Sequence, residues 1–374
     1  MKTPAAATIT PPHRILVRGV NWLGDAVMTT PALRRLREHF PNAHITIFCP
    51  DKLKELWWHH PAINEIIAVE GKARAWVTGR ALRTGKFDLA LVLPNSPRAA
   101  MEVFFAGIPR RTGYARPWRN FFLTQTVAAR AGAVNMHKRT EAEIKTLIAT
   151  PPATRTTYPA AAHQIHEYLH LTAALGANPA PLAPHLAVTP EEVEAVKKKF
   201  GLETLAQPIF GLNPGAEYGP AKRWPAEKFS AAAKEIQSRT NCLWLIFGGK
   251  NDAETAAQIG NNISHQNLAC KTSLRELIAL LKLCRVLLTN DTGPMHVAAA
   301  LGTPVVVPFG STSPELTGPV STDGTGHQII KSDAPCSPCF LRECPIDFRC
   351  MTGISVDRAI AAVMQALAAN EVRQ

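Results

Sequence analysis

Short apolar runs alternate with amphipathic stretches along the first quarter of the chain. The runs predict strands at residues 14–19, 44–48, 65–69 and 88–93. The stretches predict helices that run up to residue 40 and over residues 51–59 and 73–83. The last strand reads Leu-Ala-Leu-Val-Leu from residue 89, as expected for a strand covered on both faces. Strands that alternate with helices predict parallel βαβ units.

The same alternation restarts after a proline-rich segment at residues 140–190. Strands are predicted at residues 208–212, 242–247, 285–289 and 303–308. Helices are predicted at residues 160–175, 225–239, 252–263, 274–282, 294–301 and 356–369. We therefore expect an α/β protein with two Rossmann-like doubly wound domains facing across a cleft. The expected limits are 1–185, 186–355 and a C-terminal helix in 356–374 that can pack back on the first domain.

Ligands of doubly wound sheets bind beyond the carboxyl ends of the strands, so the loops there are the first place to look for chemistry. The loop after the first strand, residues 19–25, lacks the G-x-G-x-x-G pattern of a dinucleotide site and ends in Asp25. Asp25 suits either an acid stabilised by a helix dipole or a general base. Pro31 is either the first helical residue after a Thr30 cap or a kink in a helix that starts at Asp25.

Two loops of the second half combine glycines with charges. Residues 213–225 contain Asn213, Gly215 and the basic pair Lys222 and Arg223 just before a helix. An anion is favoured at that place, although an ordinary turn with solvated charges fits as well. The loop at 247–252 repeats the pattern more weakly, with the following candidates: Gly248 and Asp252.

A fourth loop, residues 290–296, opens another helix. Asp291 or Thr292 caps it, and the amides of Gly293, Met295 and His296 are placed to face a diphosphate. The alternative is a well-capped core helix with a buried His296. No Walker A pattern is present in the sequence, which disfavours a P-loop NTPase.

Charge divides the 374 residues unevenly. Residues 1–185 carry 23 Lys and Arg against 11 Asp and Glu, whereas the remainder carries 18 of each, so the net charge of +12 belongs to the first half. Such a half fits an anionic partner: nucleic acid, phosphorylated lipid or a membrane surface. Its densest patch lies at residues 109–122, where aromatic residues are interleaved with arginines: Arg110, Arg111, Arg116 and Arg119.

Targeting signals and cysteines add further expectations. No apolar run is long enough to span a bilayer and the N-terminus lacks a signal-peptide pattern, so we expect a cytoplasmic protein. Four of the eight cysteines cluster near the C-terminus: Cys336, Cys339, Cys344 and Cys350. They could hold a structural metal, but with a single C-x-x-C pair we expect reduced thiols in a packed loop and no metal.

The loops at residues 19–30, 213–225 and 290–319 resemble the ADP-heptose:lipopolysaccharide heptosyltransferases of glycosyltransferase family 9. The segment from Asp291 to residue 310 carries the most specific part of the resemblance. The string at residues 21–28 and the cysteine-rich tail are most similar to the heptosyltransferase II members of that family.

The resemblance implies a GT-B fold and an inverting transfer of L-glycero-D-manno-heptose from ADP-heptose to the first heptose of the lipopolysaccharide inner core. It implies that Asp25 is the catalytic base and that Lys222, with the amides of Thr292, Gly293 and Met295, stabilises the departing diphosphate. No D-x-D motif occurs in the sequence, and no cofactor is expected. The implied acceptor-binding residues are Asn21, Trp22 and the four arginines of the basic patch.

The implied partners are ADP-heptose, a phosphorylated Kdo-lipid A acceptor and the inner leaflet of the cytoplasmic membrane, to which a basic first half can bind peripherally. The resemblance leaves heptosyltransferase I or III activity, on another inner-core position, as an alternative. Two readings from other classes are a basic nucleic-acid-binding protein and an inactive binder of an ADP-sugar. Asp25 and the phosphate-binding loops of the second half argue against both, so no nucleic-acid partner is expected.

Overall fold

The computed structural model describes residues 11–71, 73–154, 156–321 and 326–371. The chain forms two compact units. The first contains residues up to 21, 31–131 and 167–180, and the second contains residues 22–30, 132–166 and those from 181 onward. The expected domain limits at residues 185 and 355 divide the chain by ligand-binding role. The division into compact units does not test these roles, so the limits stay a prediction.

The first unit is built on a parallel sheet of six strands in the order β3-β2-β1-β4-β5-β6. The strands are β1 (Arg14–Arg18), β2 (His44–Pro50), β3 (Glu65–Val69), β4 (Leu89–Val92), β5 (Arg110–Tyr114) and β6 (Gln125–Val127). In chain order, the helices up to Ala173 are α1 (Leu23–His39), α2 (Ala75–Leu82), α3 (Pro97–Phe105), α4 (Glu141–Ala149) and α5 (Ile165–Ala173). Of these, α4, residues 23–30 of α1 and residues 165–166 of α5 belong to the second unit.

The second unit repeats this topology with a sheet in the order β12-β11-β10-β7-β8-β9. Its strands are β7 (Ile209–Asn213), β8 (Leu243–Ile246), β9 (His265–Asn267), β10 (Leu287–Thr289), β11 (Val305–Phe309) and β12 (Gln328–Lys331). The remaining helices are α6 (Pro190–Lys199), α7 (Ala226–Thr240), α8 (Ala253–Gly260), α9 (Leu274–Leu283), α10 (Gly293–Ala300), α11 (Pro314–Thr317), α12 (Arg349–Thr352) and α13 (Val356–Glu371). Numbered within each unit, both sheets have the Rossmann order 3-2-1-4-5-6, so the doubly wound prediction is confirmed.

Several local predictions differ from the structure. Residues 51–57 form a 3-10 helix, and the helix expected from residue 160 begins only at Ile165. The first residues of the basic patch, Arg110–Tyr114, form strand β5. This strand was not predicted, because its sequence is polar although it lies within the sheet. The sequence left it open that the C-terminal helix α13 packs on the first domain; its residues Ile360, Val363 and Ala366 are buried in the core of the second unit.

Pro31 lies inside helix α1, so the helix begins before it, at Leu23. Proline has no N–H to donate to the carbonyl four residues earlier, that of Val27. The hydroxyl of Thr30 donates to this carbonyl oxygen instead, at 2.8 Å. The hydroxyl therefore satisfies an acceptor that the proline leaves without its helical donor.

Candidate active site

Two loops of the second unit meet where β7 and β10 end side by side. The side-chain amide of Asn213, at the end of β7, donates to the hydroxyls of Thr289 and Thr292, at 3.2 Å each. Strand β7 has β8 on one side and β10 on the other, so the strand order reverses here. Such a switch point is where doubly wound sheets bind ligands.

A second asparagine, Asn290, fixes the loop that follows β7. Its side-chain nitrogen donates to the carbonyl of Pro214 at 2.7 Å, and its side-chain oxygen accepts from the backbone N–H of Trp224 at 2.9 Å. Asn290 is fully buried, and sequence reasoning did not single it out. Its position directly after a buried strand was the available signal.

Lys222 and Asp291 form a buried ion pair at this switch point. The Nζ atom of Lys222 lies 2.6 Å from Oδ2 of Asp291, and the Thr312 hydroxyl donates to the same oxygen at 2.6 Å. Only 14% of the Lys222 side chain and 5% of the Asp291 side chain are exposed. An ammonium group has three N–H donors, so this contact leaves capacity for an anionic ligand. The Asp291 carboxylate thus fixes the position of the Lys222 ammonium group, which can bind such an anion.

Helix α10 begins at Gly293, two residues after Asp291. Thr292 is its N-cap residue and makes no side-chain cap bond, and Pro294 lies in its first turn. The first N–H groups of a helix have no partner within the helix and favour an anion. The side chain of Met295 is fully buried, so Met295 can reach a ligand only through its backbone N–H.

Two glycines allow the start of α1 to lie against the start of α10. A Cβ atom on Gly24 would lie 2.7 Å from Cδ2 of His296, and one on Gly293 would lie 2.9 Å from Leu23. Burial lowers the pKa of His296 to about 4, so the imidazole is neutral at pH 7. The neutral His296 has one donor nitrogen and one acceptor nitrogen, but it does not add a positive charge at this place.

Asp25 stands in the first turn of α1, in the same unit. Burial raises its pKa to about 6, against the lowering effects of the Lys222 charge and of a hydrogen bond from Gln164, while Asp291 adds to the rise. The Gln164 side-chain nitrogen lies 3.4 Å from Oδ1 of Asp25. A carboxylate with a pKa just below neutrality is ionised at pH 7 and still basic enough to accept a proton. Gln164 was missed, because nothing in its local sequence relates it to residue 25.

The third predicted loop closes on itself through Asp252. Its Oδ2 atom accepts from the N–H of Gly249 at 2.9 Å, and its Oδ1 atom lies 3.5 Å from the Arg223 guanidinium. A Cβ atom on Gly215 would lie within 2.3 Å of this carboxylate, and one on Gly248 within 2.9 Å of the Asp252 Cβ. Asp252 therefore braces the loops that follow β7 and β8, and its contact with a donor stays a prediction.

The predicted acceptor-binding residues differ in exposure and in the contacts they make. Asn21 is exposed and accepts a 3.3 Å hydrogen bond from Arg18. Trp22, the residue before α1, is 46% exposed. In strand β5, Arg110 is partly exposed, whereas Arg111 donates to the carbonyls of Phe122 and Ile108. Arg111 is thus engaged in holding the loop between β5 and β6.

The other two arginines of the basic patch, Arg116 and Arg119, lie in the loop between β5 and β6 and differ in exposure. Arg116 is partly exposed, with its guanidinium 5.8 Å from the Tyr114 ring centroid. Arg119 is fully buried and donates to the carbonyl of Pro94 at 2.9 Å and the side chain of Asn95 at 3.2 Å. Burial and then the Arg116 charge lower the pKa of Arg119 to about 10. Arg119 therefore ties this loop to the end of β4, and an acceptor role for it stays a prediction.

Three of the four clustered cysteines lie in a loop of the second unit, and the fourth, Cys350, lies in helix α12. Cys336 and Cys339 are buried against Ile144 of α4, and Cys350 is also buried. Burial raises the pKa of all three thiols, to about 12 for Cys350. In the part of the chain that the structure describes, no group of three or more His, Cys, Asp or Glu residues is arranged to hold a metal ion.

The chain is similar in sequence to known transferases over most of its length. The sequence model of glycosyltransferase family 9 (heptosyltransferase) matches residues 75–348. Lipopolysaccharide heptosyltransferase 2 of Escherichia coli K12 is 33% identical over 86% of this chain and 91% of that protein. The enzyme of the same name from Salmonella typhimurium LT2 is 34% identical, with the same coverage of both chains.

The fold supports the same relationship. The structure of E. coli ADP-heptose lps heptosyltransferase II matches with a TM-score of 0.77 at 28% identity, covering 96% of this chain and 99% of that one. The two six-stranded parallel sheets are thus those of a GT-B heptosyltransferase, as expected. Among the described helices, none combines the length and the apolar character that crossing a membrane requires. The chain belongs to glycosyltransferase family 9 and is a glycosyltransferase of the heptosyltransferase II type.

Proposed function

We propose that this enzyme transfers L-glycero-D-manno-heptose from ADP-heptose, with inversion, to the first heptose of the lipopolysaccharide inner core. The observation that carries the proposal is the grouping of Asp25 with the Lys222–Asp291 pair and the start of α10 in one unit. A base and a site for a departing anion are the two requirements of this transfer. The names of the relatives, which specify ADP-heptose and lipopolysaccharide, support the substrate class.

In the proposed reaction, the acceptor hydroxyl oxygen attacks the anomeric carbon from the face opposite the diphosphate. The bond from that carbon to the diphosphate oxygen breaks, and ADP leaves with the electron pair. The hydroxyl proton passes to the Asp25 carboxylate. Lys222 and the amides of Thr292, Gly293 and Met295 stabilise the charge that grows on the diphosphate, because fixed donors need not reorganise as the charge develops.

Release of ADP from ADP-heptose by the purified protein tests the proposal. Four reactions are compared: three with Kdo-lipid A that carries one heptose, no heptose or two heptoses, and one without acceptor. We expect ADP only in the first, with a product whose new glycosidic linkage has the anomeric configuration opposite to that of the donor by NMR.

Each other outcome contradicts a defined part of the proposal. Release only with the heptose-free acceptor would move the activity to that of heptosyltransferase I, and release only with a diheptosylated acceptor would indicate heptosyltransferase III. No release with any acceptor, although calorimetry detects ADP-heptose binding, would identify an inactive binder. Retained anomeric configuration would rule out the single displacement.

We also propose that the enzyme works at the cytoplasmic face of the inner membrane and binds its anionic lipid peripherally through the loop between β5 and β6. Trp118 and Phe121 in this loop are 89% and 82% exposed. Arg116 of this loop is partly exposed, and the chain has no acidic residue between Glu102 and Glu141. Exposed aromatics beside cationic side chains are suited to the boundary between headgroups and acyl chains.

Sedimentation with phosphatidylglycerol vesicles free of acceptor tests this surface. We expect the double variant Trp118→Ser/Phe121→Ser to lose most of its binding. Trp76→Ser is the matched control, since Trp76 is 51% exposed on α2 of the same unit. Equal binding by wild type and the double variant would contradict the assignment. Salt-sensitive binding to oligonucleotides without vesicle binding would favour a nucleic-acid partner instead.

A further inference from the structure

His163 and Gln164, just before α5, are hydrogen-bonded to helix α11 and to Gly318, the residue that follows it. The backbone N–H of Gln164 donates to the carbonyl of Leu316 at 2.9 Å. The Nε2 atom of His163 lies 3.0 Å from the carbonyl of Gly318, and its Nδ1 atom accepts from the N–H of Ile165 at 3.3 Å. A carbonyl only accepts, so Nε2 must carry the proton, and the imidazole is held as one neutral tautomer.

Apolar packing reinforces this attachment. Ala162, Leu316 and Phe340 form a buried cluster, against which Val134 and Tyr158 also pack. Burial lowers the pKa of His163 to about 4, so this attachment does not change between pH 5 and 9. The backbone of residue 164 is therefore held from both sides, and its side chain starts from a fixed point.

From this point the Gln164 side chain reaches the Asp25 carboxylate. Its amide nitrogen lies 3.4 Å from Oδ1 of Asp25. An ionised carboxylate can only accept hydrogen bonds, so the nitrogen end of the amide must face it. The other charged groups that act on Asp25 are Lys222 and Asp291, and the neutral His296 lies against the adjoining Gly24.

We propose that Gln164 is a positioning residue, whose amide holds one oxygen of the Asp25 carboxylate so that the other faces the acceptor hydroxyl. This inference rests on the proposed role of Asp25 as the base. A donor to the ionised form stabilises it relative to the protonated form, so Gln164 also keeps the carboxylate ionised to lower pH. Gln164 itself exchanges no proton with the substrate.

Two substitutions separate this role from packing. Gln164→Leu removes the donor, and Gln164→Glu keeps the shape but places a second carboxylate beside the first. For Gln164→Leu we expect kcat to fall roughly tenfold, near the lower end for a hydrogen bond to a charged group. The acid limb of the pH profile of kcat should move to higher pH in both variants, and further in Gln164→Glu because like charges favour protonation. The KM for ADP-heptose should stay within about twofold.

Gln266→Leu is the matched control, since Gln266 lies in β9 and donates to the carbonyl of Phe200. It should leave the pH profile unchanged. If Asp25→Asn is inactive while both Gln164 variants keep the wild-type kcat and acid limb, the positioning role is overturned and the base assignment stands. If Asp25→Asn keeps normal activity, the proposed mechanism fails first. Should Gln164→Leu not fold, the isosteric Gln164→Glu alone decides through its acid limb.

Discussion

Replacing Asp25 with asparagine is expected to lower kcat at least about 100-fold, the lower end for loss of a general base. The amide keeps the size and shape of the carboxylate but cannot accept the hydroxyl proton. Because burial raises the pKa of Asp25 to about 6, the wild-type kcat should be constant above pH 7 and fall tenfold per pH unit well below pH 6. Steady-state assays of ADP release between pH 5 and 9 measure both effects.

The stability of Asp25→Asn distinguishes lost chemistry from lost folding. A carboxyl whose pKa is higher in the folded than in the unfolded protein weakens folding, and this cost grows from the unfolded pKa of about 4 up to the folded value. The cost is fully present at pH 7.5, so the variant should melt at the same or a higher temperature than wild type. Near-normal turnover in a well-folded Asp25→Asn protein would refute the base assignment.

Replacing Lys222 with alanine is expected to lower kcat by about 100- to 1000-fold, the range for loss of one fixed donor to a developing anion. The variant loses the charge that faces the diphosphate, and it also loses one of the influences that lower the pKa of Asp25. Its acid limb should therefore move to higher pH. Kinetics of ADP release, with the affinity for ADP measured by calorimetry, check this expectation. Lys234→Ala removes the same charge from an exposed position on α7 and serves as the control.

Lys222→Ala also leaves the buried carboxylate of Asp291 without its cation. Breaking a buried ion pair from one side costs about 3 kcal/mol or more of folding free energy. The double variant Lys222→Ala/Asp291→Asn removes that unpaired charge, so its stability should recover while its activity stays low. Recovery of both would show that Lys222 acts only through the fold.

The sequence was most informative where chemistry follows directly after a strand. Asn213 and Asp291 come after buried apolar runs, and the rule for switch points predicts that the loops carrying them meet, which the hydrogen bonds from Asn213 to Thr289 and Thr292 confirm. Asp25 was proposed from the loop that follows β1, and its role as a base stays a prediction. In these cases strand periodicity and the sheet topology together place the side chain, and both can be read locally.

Residues whose environment depends on distant packing were harder to place. Arg119 has the sequence context of a surface cation, but it is fully buried, and its Nη1 atom donates to the carbonyl of Pro94 and the side chain of Asn95. Strand β5 was missed since its polar sequence is no stronger in strand propensity than a loop. Gln164 contacts Asp25 although it lies 139 residues further along the chain, so no local sequence pattern relates the two residues.

The proline inside α1 has an energetic consequence for the carboxylate near the start of that helix. Helix propagation adds one backbone hydrogen bond per residue, and at Pro31 that series is interrupted. The turns before Pro31, which carry Asp25, are therefore joined to the turns that follow by one backbone hydrogen bond fewer than in a regular helix. The contacts of Gly24 and Gln164 and the hydrogen bond of the Thr30 hydroxyl therefore contribute a larger share of what holds the Asp25 segment against local unfolding.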